Sequence, residues 1–200
     1  MKSFNIKCLI LSFAVFGGCS VNAYSDIHWD SFLKQPSKDL LVVLEDEVSS
    51  NAERCSWGNP KNHDVVSVEA GQQLFRLIAK GNEFAFRAGL LVVRCLDGGE
   101  LEDFHRSAGL FFEARSSVFL KITGERNLPE TAIKSMLTML PLNTVDNIDR
   151  AISVVERRMA MLEAISDSRF NNLKKASLPF LGNQKVMLSR VKKETGGSNK

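Results

Sequence analysis

The sequence predicts an all-α protein made of stacked helical hairpins, arranged either as a short α-solenoid-like stack or as an irregular helical bundle. Apolar residues recur every three or four positions most clearly between residues 129 and 165, and less regularly between residues 74 and 122, which is the period of an amphipathic helix. Helix pairs are expected to begin near residues 68, 99 and 129, a spacing of about 30 residues that is typical of helical repeats. The residues do not match from pair to pair, so the bundle remains an alternative.

The first 23 residues are predicted to be an export signal. Lys2 and Lys7 give a positively charged start, residues 8–16 form an apolar run, and small residues follow it. The apolar run is about nine residues long, whereas a membrane-spanning helix needs about 20. We therefore expect the chain to be translocated into the periplasm rather than embedded in the membrane.

Two processing sites are compatible with this signal. Cleavage before Tyr24 would release a soluble periplasmic protein. Cleavage before Cys19 would remove only residues 1–18 and leave Cys19 lipidated, as in a bacterial lipoprotein. Both forms place the protein in the cell envelope.

The first half of the body is predicted to contain three helices and one long polar loop. A helix is expected over residues 36–48, followed by a polar loop over residues 49–66. An apolar stripe at residues 74–78 ends at Gly81, because glycine readily adopts the left-handed backbone that terminates helices. Asn82 is the expected N-cap of the next helix, which runs to about residue 96.

The second half is predicted to be helical as well. Residues 101–112 and 118–122 form two apolar stripes. Pro129 suits the first turn of a further helix, which Pro141 ends. The last predicted helix covers residues 148–165, with Asn143 or Thr144 as its cap, and it forms a helical hairpin with the helix before it.

The charges are distributed unevenly along the chain. Once Lys2 and Lys7 are removed with the signal, 24 basic residues face 23 acidic ones. Residues 169–200 have a net charge of +7, which leaves the body, residues 24–168, at −6. We predict that residues 169–200 form a flexible basic tail, with contact to anionic membrane lipids as a second interpretation.

Two cysteines remain in the body. In an oxidising compartment, Cys55 and Cys95 are expected to form one disulfide, which would close a loop of about 40 residues and stabilise the fold by about 4 kcal/mol. Two separate buried thiols are the alternative. No metal site is predicted, because neither cysteine has a second cysteine or a histidine at ligand spacing.

The sequence offers little catalytic chemistry. Of the three histidines, His28, His63 and His105, only His105 has a carboxylate one helical turn away, at Glu102. Such a pair could form a general base, but on a helix it is more often a surface pair. No zinc-protease spacing, nucleophile elbow or phosphate-binding loop is present. We predict neither enzymatic activity nor a cofactor.

The central helices are rich in phenylalanine, which has two interpretations. At helical spacing these rings most often form a core, but a shell of such rings can also enclose an apolar ligand. The residues concerned are Phe75, Phe84, Phe86, Phe104, Phe111, Phe112 and Phe119.

These features together predict an exported helical protein that binds a protein partner and not nucleic acid. In general build it resembles the envelope-resident immunity proteins that bacteria make against toxins delivered into the periplasm, although no motif is shared with them. The acidic body would favour a basic toxin as partner. A carrier of lipid or another hydrophobic ligand and a lipoprotein scaffold are the alternatives. Trp57, in the polar loop, is the best single candidate for partner contact, because tryptophan is enriched at binding hot spots; otherwise it covers the disulfide.

Overall fold

The computed structural model describes residues 28–51 and 65–196. Of these residues 83% are helical and none lies in a β-strand, so the predicted all-α class is confirmed. The α-helices of the described part are α1 (Trp29–Lys34), α2 (Lys38–Ser50), α3 (Val68–Ala79), α4 (Glu83–Val92), α5 (Gly98–Glu125), α6 (Glu130–Thr138), α7 (Ile148–Ala164) and α8 (Asn171–Gly196).

Polar side chains begin four of these helices by accepting a hydrogen bond from a backbone N–H in the first turn. Asn82 Oδ1 accepts from Ala85 N at 2.9 Å, so the predicted cap of α4 is confirmed. Ser37 caps α2 and Ser67 caps α3 in the same way. Each cap satisfies one backbone donor that the helix itself cannot.

The cap of α7 differs from the prediction. Asn147 Oδ1 accepts from Arg150 N at 2.9 Å and begins the helix, whereas Asn143 and Thr144 lie in a preceding 3₁₀ turn. The Thr144 hydroxyl donates to the Pro141 carbonyl at 2.7 Å. Thr144 therefore stabilises the turn instead of capping the helix.

Helix α5 joins two segments that the sequence suggests are separate. It runs from Gly98 to Glu125 with one non-helical residue, Arg115, at φ −148° and ψ 58°. The two apolar stripes lie on either side of this kink. The structure thus replaces two short predicted helices with one long, kinked helix.

Part of the core is a cluster of phenylalanine rings between α3, α4 and α5. The ring of Phe86 lies 4.5 Å from that of Phe111 and 5.3 Å from that of Phe119, measured between centroids. Phe104 packs on the same cluster at 6.5 Å from Phe86. Gly89 permits this approach, because a Cβ there would lie only 2.7 Å from the Phe104 ring. The rings therefore contact one another between the three helices.

The extensive contacts join helices that are immediate or next-but-one neighbours in the chain. Thus α2 packs on α4, α3 on both α4 and α5, and α8 on both α6 and α7. Helices α6 and α7, predicted to pair with each other, make their extensive contacts with α5 and α8 instead. None of the described helices is long and apolar enough to cross a bilayer.

The prediction of a flexible tail from residue 169 is wrong for the described residues, because residues 171–196 form α8. Leu181 is fully buried, and Gln184 Nε2 donates to the Thr138 carbonyl of α6 at 2.7 Å. Lys185 Nζ lies 2.8 Å from Glu156 Oε1 of α7. Helix α8 therefore packs on α6 and α7 as part of the fold.

Candidate partner-binding groove

Several of the predicted site residues lie outside the described residues. These are Cys19, Cys55, Trp57 and His63. Lipidation, the disulfide and partner contact through Trp57 therefore remain predictions. Cys95 is within the described part, where it is buried in a 3₁₀ turn directly after α4.

Glu102 and His105, the predicted acid–base pair, are not hydrogen-bonded to each other. Glu102 accepts from Arg106 Nη2 at 2.8 Å instead of from His105. The His105 ring is half-buried beside Phe104, with 5.8 Å between ring centroids. Burial lowers the pKa of His105, and the negative charge of Glu102 partly opposes this effect. Elsewhere in residues 28–51 and 65–196, no three histidine, cysteine or acidic side chains are grouped as metal ligands would be.

An open groove of about 490 Å³ lies between α3, α5 and the connection from α6 to α7. Its floor is apolar, with Phe75 and Ala79 from α3 and Leu110 from α5. A concave apolar surface with a few polar groups is the usual form of a binding site. The full lining consists of Gln72, Phe75, Arg76, Ala79, Asp103, Arg106, Ser107, Leu110, Pro141, Leu142 and Asn143.

Arg158 of α7 holds one wall of this groove in place. Its side chain is fully buried, and its Nη1 donates to the carbonyls of Leu137 and Met139 at 2.7 and 2.9 Å. These carbonyls lie at the end of α6, where helices leave acceptors without partners. The connection that begins at Met139 is therefore fixed directly before it forms the groove wall.

A carboxylate of α5 balances the buried charge of Arg158. Glu113 Oε1 accepts from Arg158 Nε at 2.9 Å, and Glu113 Oε2 accepts from Arg157 Nε at 3.0 Å. Burial lowers the pKa of Arg158, while Glu113 raises it; an arginine nevertheless stays charged in proteins. The result is a polar bridge between α5, α6 and α7.

Gly109 gives this bridge the space that it needs. A Cβ at position 109 would lie 2.6 Å from Arg158 Nη2 and 2.7 Å from the Met136 carbonyl. Both distances are shorter than real Cβ contacts. Only glycine therefore lets α5 approach the bridge this closely without displacement.

A second, smaller depression of about 190 Å³ adjoins the groove. The two depressions share the lining residues Leu110, Pro141 and Asn143. The smaller depression is also lined by Arg150 and Arg157 of α7. Together they form a continuous surface from α3 to α7, which we call the groove from here on.

The groove has both paired and unpaired positive charges. Arg106 is bound by Glu102 and Asp103, and Arg157 by Glu113. In contrast, neither Arg76 nor Arg150 has an ion-pair partner within the described part of the chain. These two guanidinium groups remain available for a carboxylate from another molecule.

Two large apolar side chains in the connection from α6 to α7 are exposed. Leu142, which lines the groove, is 63% exposed, and Val145 in the same connection is 73% exposed. Exposed apolar residues beside unpaired cations suit a ligand that has an apolar group and a carboxylate.

Comparison with known proteins finds no family model, curated protein or solved structure that matches this chain.

Proposed function

We propose that the protein is a non-enzymatic, protein-binding domain of the bacterial cell envelope that takes up a segment of its partner in the groove. The single observation that supports this best is that exposed Leu142 and the unpaired Arg76 lie in one groove with an apolar floor. The more specific form of the proposal is an immunity-type inhibitor of a toxin delivered into the periplasm. A stack of helical hairpins would present such a groove on a rigid support.

The groove indicates which group the partner supplies. An apolar side chain of the partner would cover Leu142 and Phe75, and an acidic group would pair with Arg76 or Arg150. A toxin that is basic overall can still provide such a segment, because contact depends on local charge. The acidic body would then mainly raise the association rate.

The packing of the phenylalanine rings supports a protein partner over the hydrophobic-ligand carrier. A carrier needs apolar space inside the protein, whereas Phe86, Phe104 and Phe111 contact one another in the core. The described grooves are open to solvent. The lipoprotein scaffold remains an alternative, and it requires lipidation of Cys19.

Photo-crosslinking in living cells tests the proposal. A photoreactive amino acid replaces Leu142 in the full-length chain, which is produced in its native host. We expect a discrete crosslinked product containing a periplasmic or incoming toxic protein. The matched control position is Lys121, an exposed residue of α5 outside the groove, where no such product should form.

The Arg76→Glu exchange then connects the product to the charge of the groove. It should weaken binding of the identified partner, measured by calorimetry, by about tenfold or more, because a repulsive carboxylate replaces the cation. Lys121→Glu should leave binding unchanged. Equal crosslinking at positions 121 and 142, or unchanged affinity of the Arg76→Glu variant, would contradict the proposal. If the partner is a toxin, loss of the gene should also sensitise the cells to it.

A further inference from the structure

Among the described residues, the exposed large apolar side chains outside the groove lie mainly on two helices. Val42 and Val43 lie on α2, and Val186, Met187 and Val191 lie on α8. A single exposed valine needs no explanation, but clusters on an outer helix indicate a contact surface. The extensive contacts of α2 are with α1 and α4, and those of α8 are with α6 and α7. Helices α2 and α8 therefore lie at opposite ends of the sequence of helix–helix contacts that runs through the fold.

The α2 face consists of Asp39, Val42, Val43 and Asp46, all of which are exposed. Their spacing of three, four and seven residues places them on one side of the helix. Two valines therefore lie between two carboxylates, and neither carboxylate has an ion-pair partner within residues 28–51 and 65–196. Residues 28–51 contain five acidic and two basic residues, so this end of the protein is negative.

The α8 face consists of Val186, Met187, Arg190, Val191 and Lys193, which are also exposed. Lys193 has no ion-pair partner in the described part of the chain. Arg190 contacts only the exposed Glu194 of the same helix, and such a pair contributes little to stability. Helix α8 contains six basic residues and one acidic residue, so this end is positive.

The two faces are complementary in size, polarity and charge. Each extends over seven residue steps of helix, about 10 Å. Each combines apolar side chains with charges, and the charges have opposite sign. Terminal units of helical stacks normally have polar outer faces that prevent association, whereas these two faces expose valines and a methionine among their charges.

We propose that copies of this chain associate head to tail, with the α2 face of one copy against the α8 face of the next. The two surfaces differ, so the contact is heterologous and continues from copy to copy as a ring or a filament. A second copy fits better than an anionic membrane, because most of the lysines on this part of α8 are already paired. Lys185 pairs with Glu156 and Lys192 with Asp149 of α7, and a membrane would meet the remaining charge only.

Sedimentation of the processed chain from envelope fractions tests this proposal. We expect the average mass to rise with protein concentration and to fall when salt screens the charges. Asp46→Lys and Lys193→Glu should each weaken the association by about tenfold or more. The matched controls are Glu163→Lys on α7 and Lys175→Glu near the start of α8, both exposed and outside the two faces. They should associate as the parent chain does.

Mixing the Asp46→Lys and Lys193→Glu chains tests the contact more sharply than either variant alone. The Asp46→Lys chain retains its α8 face and the Lys193→Glu chain retains its α2 face, and their two altered faces again carry opposite charges. Each variant alone should associate weakly, whereas an equal mixture of the two should recover association, with the two variants alternating. The doubly substituted chain, with both charges reversed, should recover association with itself. Circular dichroism checks that every variant keeps the helical content of the parent.

Three results would overturn the proposal: a monomer at every concentration, equal losses in the control variants, or no recovery in the doubly substituted chain. Vesicles of phosphatidylglycerol form the last arm. If the monomeric chain binds them and Lys193→Glu abolishes that binding, the α8 face contacts membrane and head-to-tail association is wrong.

Discussion

Arg158 is fully buried, although a charged side chain is expected at the surface. Its charge and its neighbour Arg157 predict a place on the polar face of the helix expected over residues 148–165. Its spacing, three residues after Val155 and four before Leu162, instead places it in the buried stripe of α7. The sequence does not reveal this burial, because arginine is almost never fully buried unless it is paired. The pairing depends on Glu113 and on carbonyls of α6, which are distant in sequence.

We expect Arg158→Met to lower the free energy of unfolding by about 3–5 kcal/mol, because Glu113 would lose its buried partner. Two carbonyls at the end of α6 would also lose their donor. The neighbouring Arg157 is the matched control: it binds the same carboxylate but is largely exposed, and Arg157→Met should cost less than about 1 kcal/mol. Urea unfolding of both variants measures the difference. Equal losses would mean that the buried bridge is no stronger than a surface pair.

Gly109 is the second residue on which this bridge depends. Gly109→Ala should destabilise the fold by about 1–3 kcal/mol, since the new methyl group would overpack the space against Arg158 and the Met136 carbonyl. Gly124→Ala in the same helix has no atom within 4 Å of the new Cβ. It should instead stabilise by about 0.5–1 kcal/mol, because alanine favours the helix. Thermal unfolding distinguishes the two; a destabilised Gly124→Ala variant would show that helix propensity does not explain the contrast.

At the scale of the helices, the sequence predicts the helix ends that depend on a single residue. The cap at Asn82 and the helix end at Gly81, with φ +83°, follow from their own side chains. Helix α8 is missed because its buried stripe includes polar residues. Leu173, Leu181 and Leu188 lie on one side of the helix, but Ser177 and Gln184 occupy the positions between them. Only the packing on α6 and α7 shows that Ser177 is buried.

Leu181 distinguishes a packed α8 from a flexible tail. Leu181→Ala should lower the free energy of unfolding by about 2–5 kcal/mol, because it leaves a cavity at a fully buried site. Val186→Ala on the same helix removes a side chain that is 69% exposed and should change stability by less than about 0.5 kcal/mol. Both values come from chemical denaturation of the purified chain. A Leu181→Ala variant as stable as the parent would mean that α8 does not pack in solution.

At the scale of the whole molecule, the fold class follows from the sequence but the groove does not. A period of three to four residues is a local property, and it is sufficient to predict an all-α chain. The groove combines Arg76 of α3, Leu110 of α5 and Arg150 of α7, which are far apart in sequence. Their proximity depends on packing that no local pattern encodes. The overall charge of the body, similarly, does not indicate that the groove itself is positively charged.

The predicted disulfide concerns the stability of the whole chain. Cys95 is buried at the end of α4, and its predicted partner Cys55 precedes it by about 40 residues, so closing that loop should stabilise by about 4 kcal/mol. Thiol titration of the denatured processed chain should find neither Cys55 nor Cys95 reactive. Cys55→Ser should lower the free energy of unfolding as far as reduction of the parent does. Reduction should then have no further effect on this variant, because the bond it would break is already absent. Two titratable thiols in protein taken directly from the periplasm would show that the cysteines are separate.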